Sequence, residues 1–322
     1  EWMPFRLTLR GIDKRCTNMS WFLEWLSPYI ETQGYVGYLY EEEDYEIELL
    51  FAGHGRIHRK IVNLRDSLNW YHDEENIRVL WEDTIARGDF SLPLLEWCDV
   101  PEGYVTIESQ RVLVPAFRIA KYPVTNEQFE AFVNAPNGFK NDQWWVGLAR
   151  RSTSPGIQKW PIDEHPCANV RWDSAVAFSR WLSALTRLSV TLPTEAQWQR
   201  AAQGDDGRLY PWGNEFDQNR CNTVESRLRM TTRVDRSPES ASPFGVVDMI
   251  GNVWEWCLTK WAESYQYPED VSLEGEVTRS MRGGSFVTPH SEANAVHRDN
   301  CPPDIFLGNC GFRLVVVSAS DE

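Results

Sequence analysis

Tryptophan and turn-forming residues constrain this chain more than any other feature of its sequence. Its 322 residues include 16 Trp, 20 Gly and 18 Pro. A few large aromatic side chains can anchor long connections, and Gly and Pro permit the sharp turns between them. The sequence therefore predicts a loop-rich fold, and a hydrophobic content of 42% is enough for one large core or two smaller ones.

Charge and cysteine content narrow the expected partners and location. The formal net charge of −15 disfavours nucleic acid, because an acidic surface repels phosphate. No stretch approaches the roughly 20 apolar residues of a membrane-spanning helix, and the first residues have no signal-peptide pattern. The 7 Cys form no CxxC motif, which argues against a disulfide framework or a zinc ribbon. We therefore expect a cytoplasmic protein with neither a membrane span nor a nucleic-acid partner.

Residues 1–96 are predicted to form a small α+β domain. Apolar alternation predicts strands over residues 5–9, 35–40, 45–51 and 56–64, and helical spacing predicts helices over residues 19–30 and 68–87. His54 and His58 have the spacing of two metal ligands on a helix, but the glycines beside His54 favour a turn. We interpret these histidines and His72 as solvated polar residues, and the domain as an adaptor that docks a protein partner.

Residues 97–322 are predicted to contain short strands, long connections and three helices. Strands are expected over residues 104–107 and 112–119, and helices over residues 125–133, 172–185 and 193–202. Thr125 and Thr194 stand at the N-caps of the first and third helices. Gln197 is placed to complete a capping box with Thr194.

A series of motifs in this second region identifies a family. In chain order they are FRIAKYPVTN at residues 117–126, HPCANVRWDSA at 165–175, LPTEAQW at 192–198, YPWGN at 210–214, GNVWEW at 251–256, RGGSF at 282–286 and GFR at 311–313. Together they resemble the domains of formylglycine-generating enzymes, also called sulfatase-modifying factors. The resemblance implies an α+β fold of the irregular C-type-lectin-like kind.

Most of these motif residues are expected to build the fold rather than to perform chemistry. Glu195 and Arg282 are interpreted as a buried polar pair that ties loops together. The tryptophans expected in the core are Trp198, Trp212, Trp254 and Trp256.

The resemblance leaves several activities open, and the first is oxidation of a substrate cysteine. Formylglycine-generating enzymes carry two cysteines after the RGGSF motif, at the positions that hold Thr288 and Ala293 here. A hydroxyl and a methyl group cannot bind copper(I), which needs thiolate ligands. We therefore expect no copper and no formylglycine generation.

The second activity is that of the iron-dependent sulfoxide synthases of ergothioneine-type biosynthesis, whose tail resembles Arg298 and residues 302–304 here. Those enzymes hold iron through an HxxxHxE element in a helical bundle, whereas Lys60 stands where the Glu is needed after His54 and His58. No iron is expected. A metal-dependent oxidase of this family, or a conflict-system component whose activity lies in residues 1–96, is the alternative function.

The third activity is ligand display, as in the variable proteins of diversity-generating retroelements. In those proteins the same fold presents a segment whose codons are rewritten to the form NNC, which excludes Lys, Glu, Gln, Met and Trp. Between Phe286 and Gly311 the only residue of an excluded type is Glu292. We therefore predict a non-catalytic recognition protein that binds a protein or cell-surface ligand through residues 287–310. Its candidate contact residues are Val287, Thr288, His290, Glu292, Asn294, His297, Asp299, Asn300, Ile305, Phe306, Leu307 and Asn309.

Calcium is the metal that the resemblance implies. The loop from Asn252 to Glu255 is similar to a calcium-binding loop of relatives, in which these two side chains and backbone carbonyls supply the oxygen ligands. A second such loop near Asn222 lacks a clear acidic match. We expect structural calcium at the first loop, and polar ligand contacts rather than metal binding at His290 and His297.

Overall fold

The first compact unit of the chain contains a three-stranded antiparallel sheet. The structure is a computed structural model that describes residues 34–40, 46–53, 56–63 and 95–317, and its contacts divide the chain into Glu1–Ser91 and Leu92–Glu322. The sheet has the order β1 (Gly34–Tyr40), β2 (Glu46–Gly53) and β3 (Arg56–Asn63). These strands confirm three of the predicted ones. The strand predicted over residues 5–9, the helices over 19–30 and 68–87, His54 and His72 lie outside the described residues.

The described part of the second unit contains three small sheets and three helices, joined by long connections. One has the order β4 (Trp97–Val100), β7 (Phe117–Ala120), β13 (Val315–Val316) and β8 (Val190–Thr191), and β5 (Gly103–Ile107) pairs with β6 (Gln110–Val114). The third has the order β11 (Asp299–Cys301), β10 (Arg279–Arg282), β9 (Trp254–Lys260) and β12 (Cys310–Gly311). All pairings are antiparallel except that of β12 with β9.

Three helices pack beside these sheets, and the sequence predicted each of them. They are α1 (Asn126–Asn134), α2 (Trp172–Thr186) and α3 (Glu195–Gln203). Thr125 and Thr194 cap α1 and α3, and Gln128 and Gln197 return the bond to the N-cap backbone, which makes both caps reciprocal capping boxes. No helix in the described part of the chain is long and apolar enough to cross a bilayer.

Aromatic side chains in close contact form part of the core. Phe129, Phe132 and Phe178 have centroids 5.7–5.8 Å apart, and Trp181 and Phe312 pack against the same group. The pairs of Phe132 with Phe129 and Phe178 are edge-to-face, and such pairs contribute about 0.5–1.5 kcal/mol beyond burial. The core tryptophans predicted from the sequence are buried at Trp198, Trp254 and Trp256. Trp212 corrects that prediction, since it is half-buried and stacks on Tyr210 at 5.2 Å.

Two buried carboxylates connect the sheets to the helices. Glu255 on β9 accepts hydrogen bonds from the Arg313 guanidinium at 2.6 and 2.7 Å and from the Trp198 indole of α3 at 2.7 Å. Arg313 also donates to the carbonyl oxygens of Ala120 and Val247. Because Glu255 and Arg313 are almost fully excluded from solvent, the pair is viable only with this complete set of partners.

The second carboxylate, Glu195, confirms the predicted pairing with Arg282. Its oxygens accept from Arg282 at 3.1 Å, from Arg298 at 2.8 and 3.0 Å, and from the Ser280 hydroxyl at 2.7 Å. Burial raises the pKa of Glu195, but the hydrogen bonds and charges of the two arginines outweigh it, and the pKa is lowered. The carboxylate is therefore held in its charged form.

Replacing Arg313 by Leu should destabilise the protein severely. The substitution leaves the Glu255 charge buried without its cation, and loss of one partner of such a pair costs about 3–5 kcal/mol. Urea denaturation of Arg313→Leu would measure the change in free energy of unfolding. Arg150→Ala, which breaks a pair of exposed side chains with Glu276, is the control and should cost less than about 1 kcal/mol. Equal losses in the two variants would contradict the structural role assigned to Arg313.

Candidate functional site

The predicted contact segment, residues 287–310, is a long connection between β10 and β12. Its β11 portion pairs with β10, and at its end Cys310 pairs with Trp254 of β9. At its start, the Phe286 amide donates to the Asn252 carbonyl at 3.0 Å. The backbone of the segment is therefore fixed to the central sheet at both ends and in its middle.

The predicted contact residues separate into three classes of exposure. Val287, His290, Glu292, Ile305 and Phe306 are exposed. His297, Asp299, Asn300, Leu307 and Asn309 are half-buried. Thr288 and Asn294 are buried.

Thr288 and Asn294 are predicted from the sequence to contact a ligand, but both side chains are buried and are not positioned to do so. The Thr288 hydroxyl accepts from the Ser285 amide at 3.0 Å. The Asn294 side-chain oxygen accepts from the amides of Val296 and His297 at 3.0 and 2.9 Å. Both side chains close local turns, so they hold the segment in shape instead of facing a ligand.

Thr288 and Ala293 occupy the positions of the enzyme cysteines, and both lie against Gly284. Gly284 has φ of 79°, and a Cβ there would come within 2.6 Å of the Ala293 methyl and 3.4 Å of the Thr288 methyl. The geometry thus brings the two positions to one place, but it offers a hydroxyl and a methyl where copper(I) would need thiolates.

The cysteines of the segment do not replace that thiolate pair. Cys301 and Cys310 are buried, and burial raises the pKa of both thiols, to about 11 for Cys301. The Cys310 sulfur lies 3.4 Å from the Met281 sulfur. Thiols held protonated in this way are packing residues. Among the described residues, no group of three or more His, Cys, Asp or Glu is arranged to hold a metal ion.

The residues assigned to calcium do not fit it in this arrangement. Glu255 directs both oxygens at Arg313 and Trp198. The Asn252 side-chain oxygen accepts from the Thr232 amide at 2.9 Å, and its amide group donates to Asp248 at 2.7 Å. A guanidinium already bound to a carboxylate opposes a divalent cation on the same oxygens. The calcium ligation predicted at this loop stays a prediction without structural support.

The iron element is incomplete in the described backbone. His58 and Lys60 lie on β3, where His58 pairs with Phe51 and Lys60 with Leu49. His54 lies outside the described residues, and Lys60 is a cation at the position where the element needs a carboxylate. The sulfoxide-synthase alternative stays a prediction without structural support.

His290 is the most firmly anchored exposed residue of the segment. Its amide and its ring Nδ1 both bind Glu225 Oε1, at 3.0 and 2.9 Å, and its ring stacks on Phe216 at 4.6 Å. Burial raises the pKa of Glu225. The hydrogen bonds from His290 and from the Thr223 hydroxyl outweigh it and lower the pKa to about 2. Residues outside the segment therefore fix its exposed part.

Sequence reasoning missed three exposed apolar residues that flank the segment. Val224 donates its amide to the Thr288 carbonyl beside Val287, and Leu209 accepts from the Ala295 amide beside Val296. Ile157 follows Gly156, whose Cα approaches the ring of Phe306 closely. These residues come from distant parts of the chain, and no periodicity links them. We call the exposed residues of 287–310, together with Ile157, Leu209 and Val224, the display face.

The anchor at Glu225 predicts a pH-dependent contribution to stability. The pKa of Glu225 in the folded protein lies below its usual value of 4.5, so the stabilisation is complete above about pH 4.5 and is lost as the pH falls towards about 2. Glu225→Gln should lower the free energy of unfolding by about 1–2 kcal/mol near pH 6, allowing for its partial exposure. The loss should shrink towards zero in acid. Exposed Glu239→Gln is the control, and a constant difference across this range would contradict the assignment.

Comparisons with known proteins agree with the architecture. Residues 84–318 match the family model of the sulfatase-modifying factor enzyme 1-like domain. The formylglycine-generating enzyme of Thermomonospora curvata is 28% identical over 256 residues, which cover 63% of this chain and 82% of that protein.

Solved structures show the same fold. PvdO from Pseudomonas aeruginosa superposes with a TM-score of 0.56 at 24% identity, covering 69% of this chain and 94% of that one. Treponema denticola variable protein 1 gives a TM-score of 0.54 at 20% identity, covering 70% and 97%. The predicted C-type-lectin-like fold is confirmed. Because the family model spans most of the chain and the motifs occupy its sheets and buried pairs, this protein belongs to the sulfatase-modifying factor enzyme 1-like, or formylglycine-generating-enzyme, family.

Proposed function

We propose that this protein is a non-catalytic recognition protein that binds a protein or cell-surface ligand through its display face. One observation carries the proposal: Thr288 and Ala293 replace the enzyme cysteines, and both are buried against Gly284, while Val287 and Glu292 beside them are exposed. The surface that surrounds an active site in relatives is thus present without its thiolates. What it offers is a mixed apolar and polar contact area on a fixed backbone.

The rigidity of the surrounding frame supports recognition. Segment residues that point inward are held by Glu195, Ser285 and their own turns, so binding need not order the backbone. Preorganisation of this kind avoids the loss of conformational entropy on association. Exposed positions can change with little effect on stability, since surface substitutions usually alter it by less than about 0.5 kcal/mol.

We extend the proposal to diversification of this segment. Treponema denticola variable protein 1 shares the fold, and the residues between Phe286 and Gly311 are compatible with NNC codons apart from Glu292. The burial pattern adds a restriction. Diversification that preserves the fold must vary the exposed positions and spare buried Thr288, Ala293 and the Glu195-bound Arg298.

The gene locus tests diversification directly. A reverse-transcriptase gene and a near-identical template repeat should lie nearby. Differences between the template and the gene should fall at adenines in codons for exposed residues such as Val287, His290 and Phe306. They should be rare at Thr288 and Ala293, because these buried positions have no room for side chains much larger than those present. Absence of a template repeat, or equal variation at buried and exposed codons, would refute diversification.

Metal content tests recognition against the alternative of a metal-dependent oxidase. Protein purified under native conditions should hold less than about 0.1 equivalent of copper or iron, because the described residues provide neither thiolate pair nor histidine cluster. The double variant Thr288→Cys/Ala293→Cys, whose new thiols would flank Gly284, is a positive control for copper(I). Stoichiometric copper or iron in the unmodified protein would favour the oxidase.

For residues 1–96 we propose an adaptor role with a protein partner of its own. The antiparallel sheet β1–β2–β3 belongs to a separate compact unit, which supports an independent function. An activity located in this unit remains the alternative, and a cytoplasmic location is proposed for the whole chain.

A further inference from the structure

We infer that the display face recognises a protein segment in which carboxylates stand beside apolar side chains, and that Lys159, Arg227 and Arg229 of the fixed frame supply the complementary charge. The inference rests on the proposed function and deepens it by assigning the chemistry of the ligand. It concerns residues outside 287–310, so it holds whichever residues that segment displays.

The loop that carries Lys159 is locked against the segment. Gly156 has φ of 89°, and a Cβ there would meet the Asn169 carbonyl at 2.2 Å and the Phe306 ring at 3.1 Å. The Asn169 side chain donates to the Ile157 carbonyl at 2.8 Å, and its amide donates to the Leu307 carbonyl at 3.0 Å. Ile157, which is 83% exposed, therefore follows a glycine that packs against the ring of Phe306, which is 37% exposed.

Lys159 is positioned by an aromatic neighbour on the same loop. The Trp160 ring packs edge-to-face on Phe286 at 5.2 Å, directly before Val287. The Lys159 ammonium lies 4.6 Å from the centroid of the Trp160 ring. This cation–π contact keeps the ammonium beside the apolar part of the display face and leaves its hydrogen-bond donors to solvent.

The loop that carries the two arginines adjoins the same segment. Val224 binds the Thr288 carbonyl at 3.1 Å, and Arg227 follows at the end of the short 3-10 helix Val224–Ser226. Arg227 and Arg229 have φ of 58° and 56°, in the left-handed region that Gly or Asn occupies at lower cost. The two cationic side chains thus lie on one exposed loop beside the segment.

The frame around the segment carries exposed cations although the chain as a whole is acidic. Within residues 95–317, Lys159, Arg227 and Arg229 are exposed and form no ion pair with a carboxylate. Two neighbouring carboxylates are engaged, since Glu225 binds His290 and Asp304 binds Arg150 at 3.0 Å, while the exposed Glu292 belongs to the segment itself. In a chain with a net charge of −15, unpaired cations of the frame beside exposed apolar residues offer a local site for anionic groups.

The aliphatic residues beside these cations favour a polypeptide over a nucleic acid. Ile157, Val224 and Val287 give bases no ring on which to stack, and the exposed rings of Phe306 and His290 belong to the segment itself. Apolar side chains of a protein can bury against them, and carboxylates on the same partner can reach the cations at the rim. Interfaces commonly combine an apolar centre with a polar rim in this way.

The test uses the full chain and two fluorescent peptides of equal length. One alternates Glu with Leu and Phe, and the other has Lys in place of each Glu. The Glu peptide should bind about tenfold more tightly at low salt, and most of that preference should vanish at about 0.5 M salt. The triple variant Lys159→Glu/Arg227→Glu/Arg229→Glu should reverse the preference. Lys140→Glu/Arg111→Glu/Arg236→Glu, which changes three other exposed cations by the same charge, should retain it.

A second set of variants separates charge from folding. Arg227→Asn and Arg229→Asn remove the charge with a residue that tolerates positive φ, so these variants should unfold at an unchanged or higher urea concentration and still lose the preference. Equal binding of the two peptides, or a preference retained in both sets of variants, would overturn the inference. Tighter binding of an oligothymidylate of equal charge, or of phosphatidylserine vesicles, would overturn it in favour of phosphate recognition.

The two proposals fail in different ways. If Val287→Asp/Phe306→Asp abolishes binding of both peptides and neither charge is preferred, the display face stands and the charge inference falls. If the preference for the Glu peptide depends on Lys159, Arg227 and Arg229 but is unaffected by Val287→Asp/Phe306→Asp, the charge inference is supported. Ligand binding through residues 287–310 is then refuted.

Discussion

The buried pair of Glu255 and Arg313 is the interaction on which the second unit depends. Arg313 follows β12 near the end of the described chain, and its guanidinium reaches β9 through Glu255 and β7 through the Ala120 carbonyl. Glu255 in turn fixes α3 through the indole of Trp198. A domain with so little regular structure has few repeating backbone bonds to hold it. Charge-assisted hydrogen bonds between distant segments therefore determine its shape.

The second buried carboxylate, Glu195, fixes residues 287–310 to the same frame. Arg298 belongs to that segment, yet its side chain is 7% exposed and binds both Glu195 and Glu108. Together with Thr288 and Asn294, it divides the segment into short exposed stretches between buried anchors. The same segment can therefore vary at its surface and keep one backbone conformation, which is the physical requirement for a recognition surface with changing side chains.

The structure still brings together the two positions that hold cysteines in the enzymes of the family, but the side chains at those positions have different chemistry. Gly284 approaches both Thr288 and Ala293, so the fold still brings together the two positions where thiolates would bind copper(I). The side chains there pack and form hydrogen bonds to Ser285. Recognition and oxidation differ in what the surface needs. Oxidation needs reactive donors at one point, whereas recognition needs a broad, rigid and partly apolar area.

The sequence by itself determined the family, the capped helices, three of the four predicted core tryptophans and the absence of cysteine at positions 288 and 293, because those features lie in local motifs and residue identity. It also predicted the pair of Glu195 with Arg282, through the family resemblance. Only the tertiary structure decided that Thr288 and Asn294 are buried, that Arg313 occupies both oxygens of Glu255, and that Gly156 packs against Phe306. Loops without a period carry no signal for the direction of a side chain. That direction is set by contacts between residues far apart in the chain, which exist only after the fold has formed.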